Sequence, residues 1–416
     1  MVKSKYFYGY HIVAAGFVIQ AVCIGPLFTY GVFFKQFQAE LGWSRAIISG
    51  ASSLAFFIMG AGGILAGRLN DRIGPRIIMV VSGTSLGLGY LLMAHLQTPW
   101  QLYVLYGIMV GIGFSTHDVI TLSTVARWFI KRRGMMSGVV KVGTGAGQML
   151  VPLMAAALIA IYGWRQAYTI IGAIALVILV AAALVLRRDP AEKGQFPDGN
   201  SAGIDGSAAA FTDNSISIKE AVRTGPFWIL CVAEFTIFFC LLTMIVHIVP
   251  HATDLGLPPG TAAGVLATIG GVSMVGRISM GTANDKIGGK RSLTICFIIL
   301  ICGLLWLQIA GQAWMLFLFA AIYGFSHGGF FTVMSPLVAE LFGTGSHGLL
   351  FGLILFSGTI GGTVGPVLAG RMFDVVGSYW GVFWLLIGLA LSGLVLITLL
   401  KPPEHVDSPK QSRAPA

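Results

Sequence analysis

Arg277 lies inside a long apolar stretch of this chain, where an ionic group is costly and commonly functional. It stands in the segment "MVGRISMG" and shares a helical face with Gly270, Ser273 and Gly281. A guanidinium keeps its charge and can bind a carboxylate through two parallel hydrogen bonds. We therefore predict that Arg277 binds an organic anion. The alternative is that its side chain extends to the membrane surface, about two helical turns away.

A second buried cation, Lys141, lies on a polar stripe with Ser137, Thr144 and Gln148 at spacings of three or four residues. A stripe of this kind is expected to face water rather than lipid. Extension to the membrane surface is again the alternative. Two cations that face one cavity would suit an organic anion, including a dianion.

Asp118, preceded by His117, falls near the middle of the fourth apolar segment. A carboxyl group inside a membrane binds a proton when it is unpaired, or neutralises a cation when it is paired. We predict Asp118 as the proton-coupling group, with His117 and His327 as further candidates. The alternative for Asp118 is a structural ion pair with Lys141 or Arg277.

Further substrate contacts are predicted from aromatic, imidazole and hydroxyl side chains of the first, fourth and eleventh apolar segments. These side chains are Phe28, Tyr30, His117, Phe356 and Thr359.

The sequence "GRLNDRIGPR" after the second apolar segment returns as "GTANDKIGGK" after the eighth, at an offset of 214 residues. We interpret both as loops at the cytoplasmic face, in which each aspartate caps a neighbouring helix or pairs with an arginine and so forms a gate. The alternative is that these charges only set topology. The predicted gate residues are Gly67, Asp71, Arg72 and Gly74 with their counterparts Gly281, Asp285, Lys286 and Gly288.

The repeat extends beyond these motifs and implies two homologous halves. The same offset relates Gly134, Gly138, Gly147, Pro152 and Gly163 to Gly348, Gly352, Gly361, Pro366 and Gly377. The glycine-rich runs "GTGAG" and "GTIGGTVG" are interpreted as sites of close helix packing, since neither precedes the Lys-Ser/Thr pair of a phosphate loop.

Composition decides the class of protein. The chain is 56% hydrophobic and 10% charged, with a mean hydropathy of +0.84, which excludes an ordinary water-soluble protein. Apolar runs of 18 or more residues predict an all-α membrane protein with twelve transmembrane helices in two pseudo-symmetric six-helix bundles. The predicted divisions are an N-terminal bundle (1–187), a cytoplasmic linker (188–224), a C-terminal bundle (225–400) and a cytoplasmic tail (401–416).

The formal charge of +10 does not require a nucleic acid, because the basic residues follow the positive-inside rule. With both termini in the cytoplasm, only Lys35, Arg45, Arg165 and Arg371 fall on the outer side. The chain is thus expected in the cell inner (plasma) membrane as a multi-pass monomer. The five cysteines lie in apolar segments, which predicts no disulfide framework, no metal site and no cofactor.

The motif G-x-L-x-D-R-x-G resembles the one that the major facilitator superfamily carries between helices 2 and 3. Residues 67–74 fit it fully, and residues 281–288 depart from it at Ala283 and Lys286. Segments such as "YGVFFKQFQAELGWSRA", "MVGRISMG" and "GPVLAGRMFD" are similar to the monocarboxylate transporters and the oxalate/formate antiporter group. The resemblance implies that the helix-8 arginine, Arg277, binds the substrate carboxylate.

One departure from that resemblance concerns proton coupling. Phe28 and Ser273 stand where animal monocarboxylate transporters carry a helix-1 lysine and a helix-8 aspartate. Coupling must therefore use another residue, such as Asp118, His117 or His327, or be absent.

The predicted function is secondary active transport of small monocarboxylates such as lactate or pyruvate, by alternating access with proton symport. Exchange of organic anions, as in the oxalate/formate group, is the alternative. A receptor built on a carrier fold is disfavoured because the linker and tail are too short for an output domain. An enzyme is disfavoured because the chain has no HExxH, no GxSxG and no paired-carboxylate cluster.

Overall fold

The computed structural model describes residues 7–199 and 216–401, and within these ranges the regular structure is helical throughout. The N-terminal half contains α1 (Gly9–Leu41), α2 (Arg45–Ile73), α3 (Pro75–Met93), α4 (Pro99–Trp128), α5 (133–162) and α6 (164–185). The C-terminal half contains α7 (Gly225–Asp254), α8 (Pro259–Ile287), α9 (Gly289–Leu307), α10 (Ala313–Phe342), α11 (His347–Val376) and α12 (Trp380–Leu399).

The boundary between α5 and α6 is a single glycine. Eleven helical stretches are long and apolar enough to cross a membrane, and one of them, Arg133–Val185, has 53 residues. Gly163 interrupts it with φ 79° and ψ 165°, a conformation that side chains with a Cβ atom rarely adopt. The stretch therefore contributes two spans, and the predicted twelve transmembrane helices are confirmed.

Helix α4 is irregular along its length. It contains a π-helical segment, Tyr103–Val110, and is interrupted again at Ser115 and Thr116 before the arm His117–Trp128. Departures of this kind are rare and frequently mark functional sites. The interruption places Asp118 in the first turn of the final arm.

Glycines allow the helices of each half to approach closely, as predicted for the glycine-rich runs. A Cβ atom added at Gly143 or Gly147 of α5 would overlap with the backbone carbonyl of Phe17 or Ala21 on α1. The same holds in the C-terminal half for Gly361 of α11 against α7. These contacts fix the depth and rotation of the helices that carry the charged residues.

The two halves meet along α2 with α11 and along α5 with α8. Near the ends of α2 and α8, Gly67 approaches the backbone of Gly348, and Gly281 approaches that of Gly134. At the opposite end, α1 and α7 make at most marginal contact with the other half within the described ranges. The gap between the halves therefore opens away from the repeated aspartate motifs.

The interpretation of the repeated motifs as loops is wrong in one respect. Helix α2 continues to Ile73 and α8 to Ile287, so Asp71 and Asp285 lie in the last helical turns. Only Gly74 and Gly288, with φ 86° and 85°, link these helices to the next ones.

The linker end at residues 216–224 contacts the same side of the molecule as the motifs. The backbone N of Ile216 donates to the carbonyl oxygen of Phe342 at 3.1 Å, and Ser217 caps the short helix Ile218–Ala221. Linker residues 200–215, the tail beyond Lys401, and residues 1–6 lie outside the described residues.

Candidate functional site

Arg277 lies well inside α8 and is enclosed by protein. It precedes the end of α8 by ten residues, or about 15 Å of helix, and only 2% of its surface is exposed. Its Nε and Nη1 atoms are buried without a hydrogen-bond partner in the described part of the chain. The alternative that this side chain extends to the membrane surface is therefore wrong.

The surroundings of Arg277 are made of small residues from both halves. A Cβ atom at Gly145 of α5 would lie 2.7 Å from Nη1 of Arg277, and one at Gly138 would lie 2.5 Å from its carbonyl oxygen. One turn or more toward the open end of α8, Gly270 and Gly271 have no neighbour within 4 Å of an added Cβ atom. Arg277 thus lies at the base of the gap, enclosed by α5 and α10.

Lys141 is as buried as Arg277, with 2% exposure, but it is paired. Its Nζ lies 2.7 Å from Oδ1 of Asp118. The same oxygen accepts a hydrogen bond from Nε2 of Gln20 at 2.8 Å, and Thr144 donates to Oε1 of Gln20 at 2.7 Å. This network joins α1, α4 and α5, and it contains the ion pair that was the alternative for Asp118.

His117 is fixed at the interruption of α4. Its Nδ1 lies 2.6 Å from the carbonyl oxygen of Phe114, and its Nε2 lies 3.4 Å from Oδ2 of Asp118. The imidazole is therefore the nearest titratable neighbour of Asp118 on its own helix.

An aromatic residue of the other half, Phe331 on α10, lies beneath Lys141. The Nζ atom of Lys141 is 5.1 Å from the ring centroid, a cation–π contact across the two halves. The rings of His327 and Phe238 pack against the same ring at 5.0 and 5.1 Å. His327 is buried, its Nδ1 has no partner in the described chain, and it interacts electrostatically with Arg277 and Lys141.

Glu234 on α7 joins this group of charges although it was not predicted. It is 3% exposed, its Oε2 is buried without a hydrogen-bond partner among the described residues, and it interacts electrostatically with Asp118 and Lys141. Its Cγ packs against Gly358 of α11, where an added Cβ atom would lie 2.9 Å away. Six ionisable groups from α4, α5, α7, α8 and α10 are thus brought together: His117, Asp118, Lys141, Glu234, Arg277 and His327.

The sequence of α7 shows a polar stripe at helical spacing, and Glu234 lies off it; the stripe consists of Thr236, Cys240, Thr243, His247 and His251. That stripe serves packing within the C-terminal half. His247 contacts the hydroxyl of Tyr379 at 3.0 Å and the carbonyl of Pro366 at 2.9 Å, and Cys240 contacts the carbonyl of Leu386. Gln20 was also missed, since a single amide in an apolar helix gives no periodic signal.

The other predicted substrate contacts are Tyr30, Phe28, Phe356 and Thr359. The hydroxyl of Tyr30 donates to the carbonyl of Ile48 at 2.6 Å inside the aromatic core of the N-terminal half, apart from the charges. Phe28 is 40% exposed, and Phe356 is half-buried. Thr359 lies at the contact between halves, where an added Cβ atom at Gly60 would be 2.9 Å from its methyl group.

The two motif aspartates cap helices of the opposite half. Asp71 accepts hydrogen bonds from the backbone N atoms of Gly348 and Leu349 at 3.1 and 3.0 Å, and Arg127 adds an ion pair at 2.9 Å. Asp285 accepts from Gly134 and Met135, at the start of α5, at 2.6 and 2.8 Å. The predicted capping contacts are therefore present, in reciprocal form.

The other members of the motifs contribute less to this contact. Arg72 and Lys286 are exposed, whereas Gly67 and Gly281 provide the close backbone approach described above. The aspartates and these glycines together hold this end of the molecule closed.

A separate cleft of about 580 Å³ lies at the open end of the C-terminal half. It is lined by residues that include His251, Asp254, Gln308, Tyr379 and Trp380. None of the six ionisable groups named above lines it, so it is distinct from the candidate site.

Comparisons with known proteins give consistent findings. Residues 16–310 and 274–416 match the model of the Major Facilitator Superfamily. The chain is 27% identical to "Monocarboxylate transporter 13" of Rattus norvegicus over 408 residues, covering 94% of this chain and 89% of that protein. It is 30% identical to "MFS-type transporter 1" of Ophiocordyceps sp. (strain BCC 1869), covering 83% of this chain and 74% of the other.

Among solved structures, the chain is similar to a crystal structure of the E. coli fucose:proton symporter, FucP. The TM-score is 0.72 at 14% identity, with 96% of this chain and 100% of that chain covered. At this identity the likeness shows the fold, which is that of two six-helix bundles.

Proposed function

The chain belongs to the Major Facilitator Superfamily, and from that premise we propose that it moves small monocarboxylates such as lactate or pyruvate by alternating access, with proton symport. It is a multi-pass membrane transporter of the monocarboxylate transporter-like group and not an enzyme. We further propose that it acts as a monomer in the cell inner (plasma) membrane, with both termini in the cytoplasm, as the distribution of lysine and arginine favours.

The proposed cargo is inferred from one observation, the unpaired guanidinium of Arg277. A buried charge without a partner is costly, and much of that cost is removed when an anion supplies charge-assisted hydrogen bonds. The planar fork matches a carboxylate, and the space beside Gly270 and Gly271 lies next to it toward the open end of α8.

The charge proposed for the cargo follows from the pairing of Lys141 with Asp118. The sequence left a dianion and anion exchange open because Lys141 offered a second cation. In the structure Asp118 neutralises Lys141 at 2.7 Å, which leaves Arg277 as the cation without an acidic partner in the described chain. One unpaired positive charge favours a monocarboxylate over oxalate-like dianions.

The transport cycle begins from the state seen here, with the gap open at one end and the aspartate motifs closed at the other. Binding of the anion at the base of the gap draws α5, α8 and α10 together. The guanidinium of Arg277 belongs to the C-terminal half but already packs against α5 of the N-terminal half. Closure of the gap must be accompanied by loss of the caps made by Asp71 and Asp285. A capping contact contributes about 1 kcal/mol, so binding energy of ordinary size can drive this exchange.

The test is uptake of labelled lactate by proteoliposomes, with and without a pH gradient. We expect uptake by the wild type to be stimulated by an inward proton gradient, and the Arg277→Ala variant to transport at the background rate. Equal rates for the two proteins would refute the role of Arg277. Trans-stimulation by internal substrate without any response to pH would select exchange instead. A panel of mono- and dicarboxylates in a thermal stabilisation assay would identify the preferred acid.

A further inference from the structure

Two carboxyl groups lie near Lys141, and their surroundings differ. Asp118 has the ammonium group of Lys141, the amide of Gln20 and the imidazole of His117 around its oxygens. Glu234 has no hydrogen-bond donor at its buried Oε2 in the described chain. From this difference we infer that Glu234 takes up the transported proton and that Asp118 remains an ionised structural partner of Lys141. The inference rests on the proposed function and names the residue that performs its coupling step.

The first argument is the cost of an unsolvated negative charge. A carboxylate that is removed from water must be paired or hydrogen-bonded, or else exist in its neutral form. Asp118 meets the first condition and Glu234 does not. Addition of a proton to Glu234 removes its charge and supplies a hydroxyl donor, without any change in the Lys141–Asp118 pair.

The second argument is the charge of the whole group. The groups that act electrostatically on Glu234 are Asp118 on α4 and Lys141 on α5, while α11 presents Gly358 to it. With Glu234 protonated, Lys141 and Asp118 cancel, and Arg277 supplies one positive charge for one carboxylate. With Glu234 ionised, the group is already neutral, and a bound carboxylate would add an uncompensated negative charge. Proton uptake therefore favours binding of the anion, with one proton per monocarboxylate.

The third argument is the position of Glu234 in the fold. Helix α7 borders the gap and makes at most marginal contact with the N-terminal half among the described residues. One turn beyond Glu234, Phe238 packs at 5.1 Å against Phe331, the ring that lies beneath Lys141. Loss of the proton from Glu234 thus creates a second acidic partner for Lys141 on the opposite half. Competition between Asp118 and Glu234 for Lys141 couples the proton to the relative position of the halves.

Transport assays separate the coupling step from binding. In Glu234→Gln, which imitates the protonated form, we expect exchange of labelled for unlabelled lactate to be retained and stimulation of uptake by a pH gradient to be lost. Glu220→Gln is the matched control, because Glu220 caps a short exposed helix in the linker and should show wild-type coupling. Retention of uphill, gradient-driven uptake in Glu234→Gln would overturn the inference.

A readout that needs no substrate keeps this test independent of the proposed cargo. Infrared difference spectra between low and high pH report the C=O stretch of a protonated carboxylic acid. We expect a band from the buried acid in the wild type and in Glu220→Gln, and its loss in Glu234→Gln. A band that survives in Glu234→Gln and disappears in Asp118→Asn would assign the proton to Asp118. If the wild type transports no monocarboxylate, the proposed function fails while the spectra still decide which carboxyl holds the proton.

Discussion

The Nζ atom of Lys141 lies 2.7 Å from Oδ1 of Asp118, so one of the two buried cations already has an acidic partner within its own half. Arg277, across the contact between halves, has none in the described chain. This asymmetry distinguishes the cation that holds the N-terminal half together from the cation that is free to bind cargo.

The Lys141–Asp118 pair is expected to behave as a structural unit. Removal of either partner, in Lys141→Met or Asp118→Asn, leaves a buried charge uncompensated and should destabilise the protein by about 3–5 kcal/mol. The double variant should recover most of this loss. Thermal unfolding in detergent measures the effect, and equal losses that simply add in the double variant would contradict the pairing.

Arg277 is expected to require its planar fork as well as its charge. Arg277→Lys keeps a positive charge but loses bidentate geometry, and Arg277→Ala loses both, so affinity for the monocarboxylate should fall in that order. A cost of about 2–5 kcal/mol for Arg277→Ala corresponds to at least a 30-fold weaker binding. Substrate-dependent thermal stabilisation measures it, with the exposed Arg371→Ala as the control. Full affinity in Arg277→Lys would show that bidentate geometry is not needed.

Gly145 is expected to set the space available to the guanidinium. In Gly145→Ala the new methyl group would lie 2.7 Å from Nη1 of Arg277, so the guanidinium must move and affinity for the monocarboxylate should decrease. The control is Gly388→Ala on α12, where an added Cβ atom has no neighbour within 4 Å. Unchanged affinity in Gly145→Ala would show that the guanidinium position is not what limits binding.

The two motif aspartates are expected to hold the closed end shut. Asp71→Asn and Asp285→Asn weaken caps that each contribute about 1 kcal/mol, so the double variant should shift the population toward an opening at this end by roughly tenfold or more. Spin labels at positions 76 and 291, at the starts of α3 and α9, should report a longer distance in the variant. The measurement requires replacement of the exposed Cys302. An unchanged distance distribution would mean that the close glycine contacts alone maintain closure.

A pH effect is expected outside the membrane region, where Glu40 at the end of α1 contacts Trp164 and Arg165 at the start of α6. The hydrogen bond from Trp164, followed by the contacts with Arg165, lowers the pKa of Glu40 from its ordinary value of 4.5. The stabilisation is therefore complete above pH 4.5 and is lost as the pH falls through the lower pKa of the folded state. The melting temperature of the wild type should fall below pH 4.5 by slightly more than that of Glu40→Gln. Parallel pH profiles for the two proteins would show that the contact contributes nothing.

Much of the fold was predictable because lipid is a restrictive solvent. A backbone in hydrocarbon must satisfy its hydrogen bonds internally, so each apolar run of sufficient length becomes a helix. The twelve spans could be derived in this way, and the repeat at an offset of 214 residues indicated the two related halves. The motif aspartates were also recognised as helix caps, although the helices that carry them continue further than the apolar pattern indicated.

The sequence by itself determined that two cations and several acidic or imidazole groups lie inside the membrane, since residue type and depth along a helix are one-dimensional properties. The tertiary structure alone decided which of them are paired. Helical periodicity gives the direction of a side chain about the axis of its helix, as for the polar stripe of α7. It does not give which neighbouring helix that side chain faces. Electrostatic interaction depends on distances between helices, and these are set by close glycine contacts such as Gly138 against α8. For that reason Glu234 emerged as a candidate only in three dimensions, and Lys141 was recognised as the partner of Asp118.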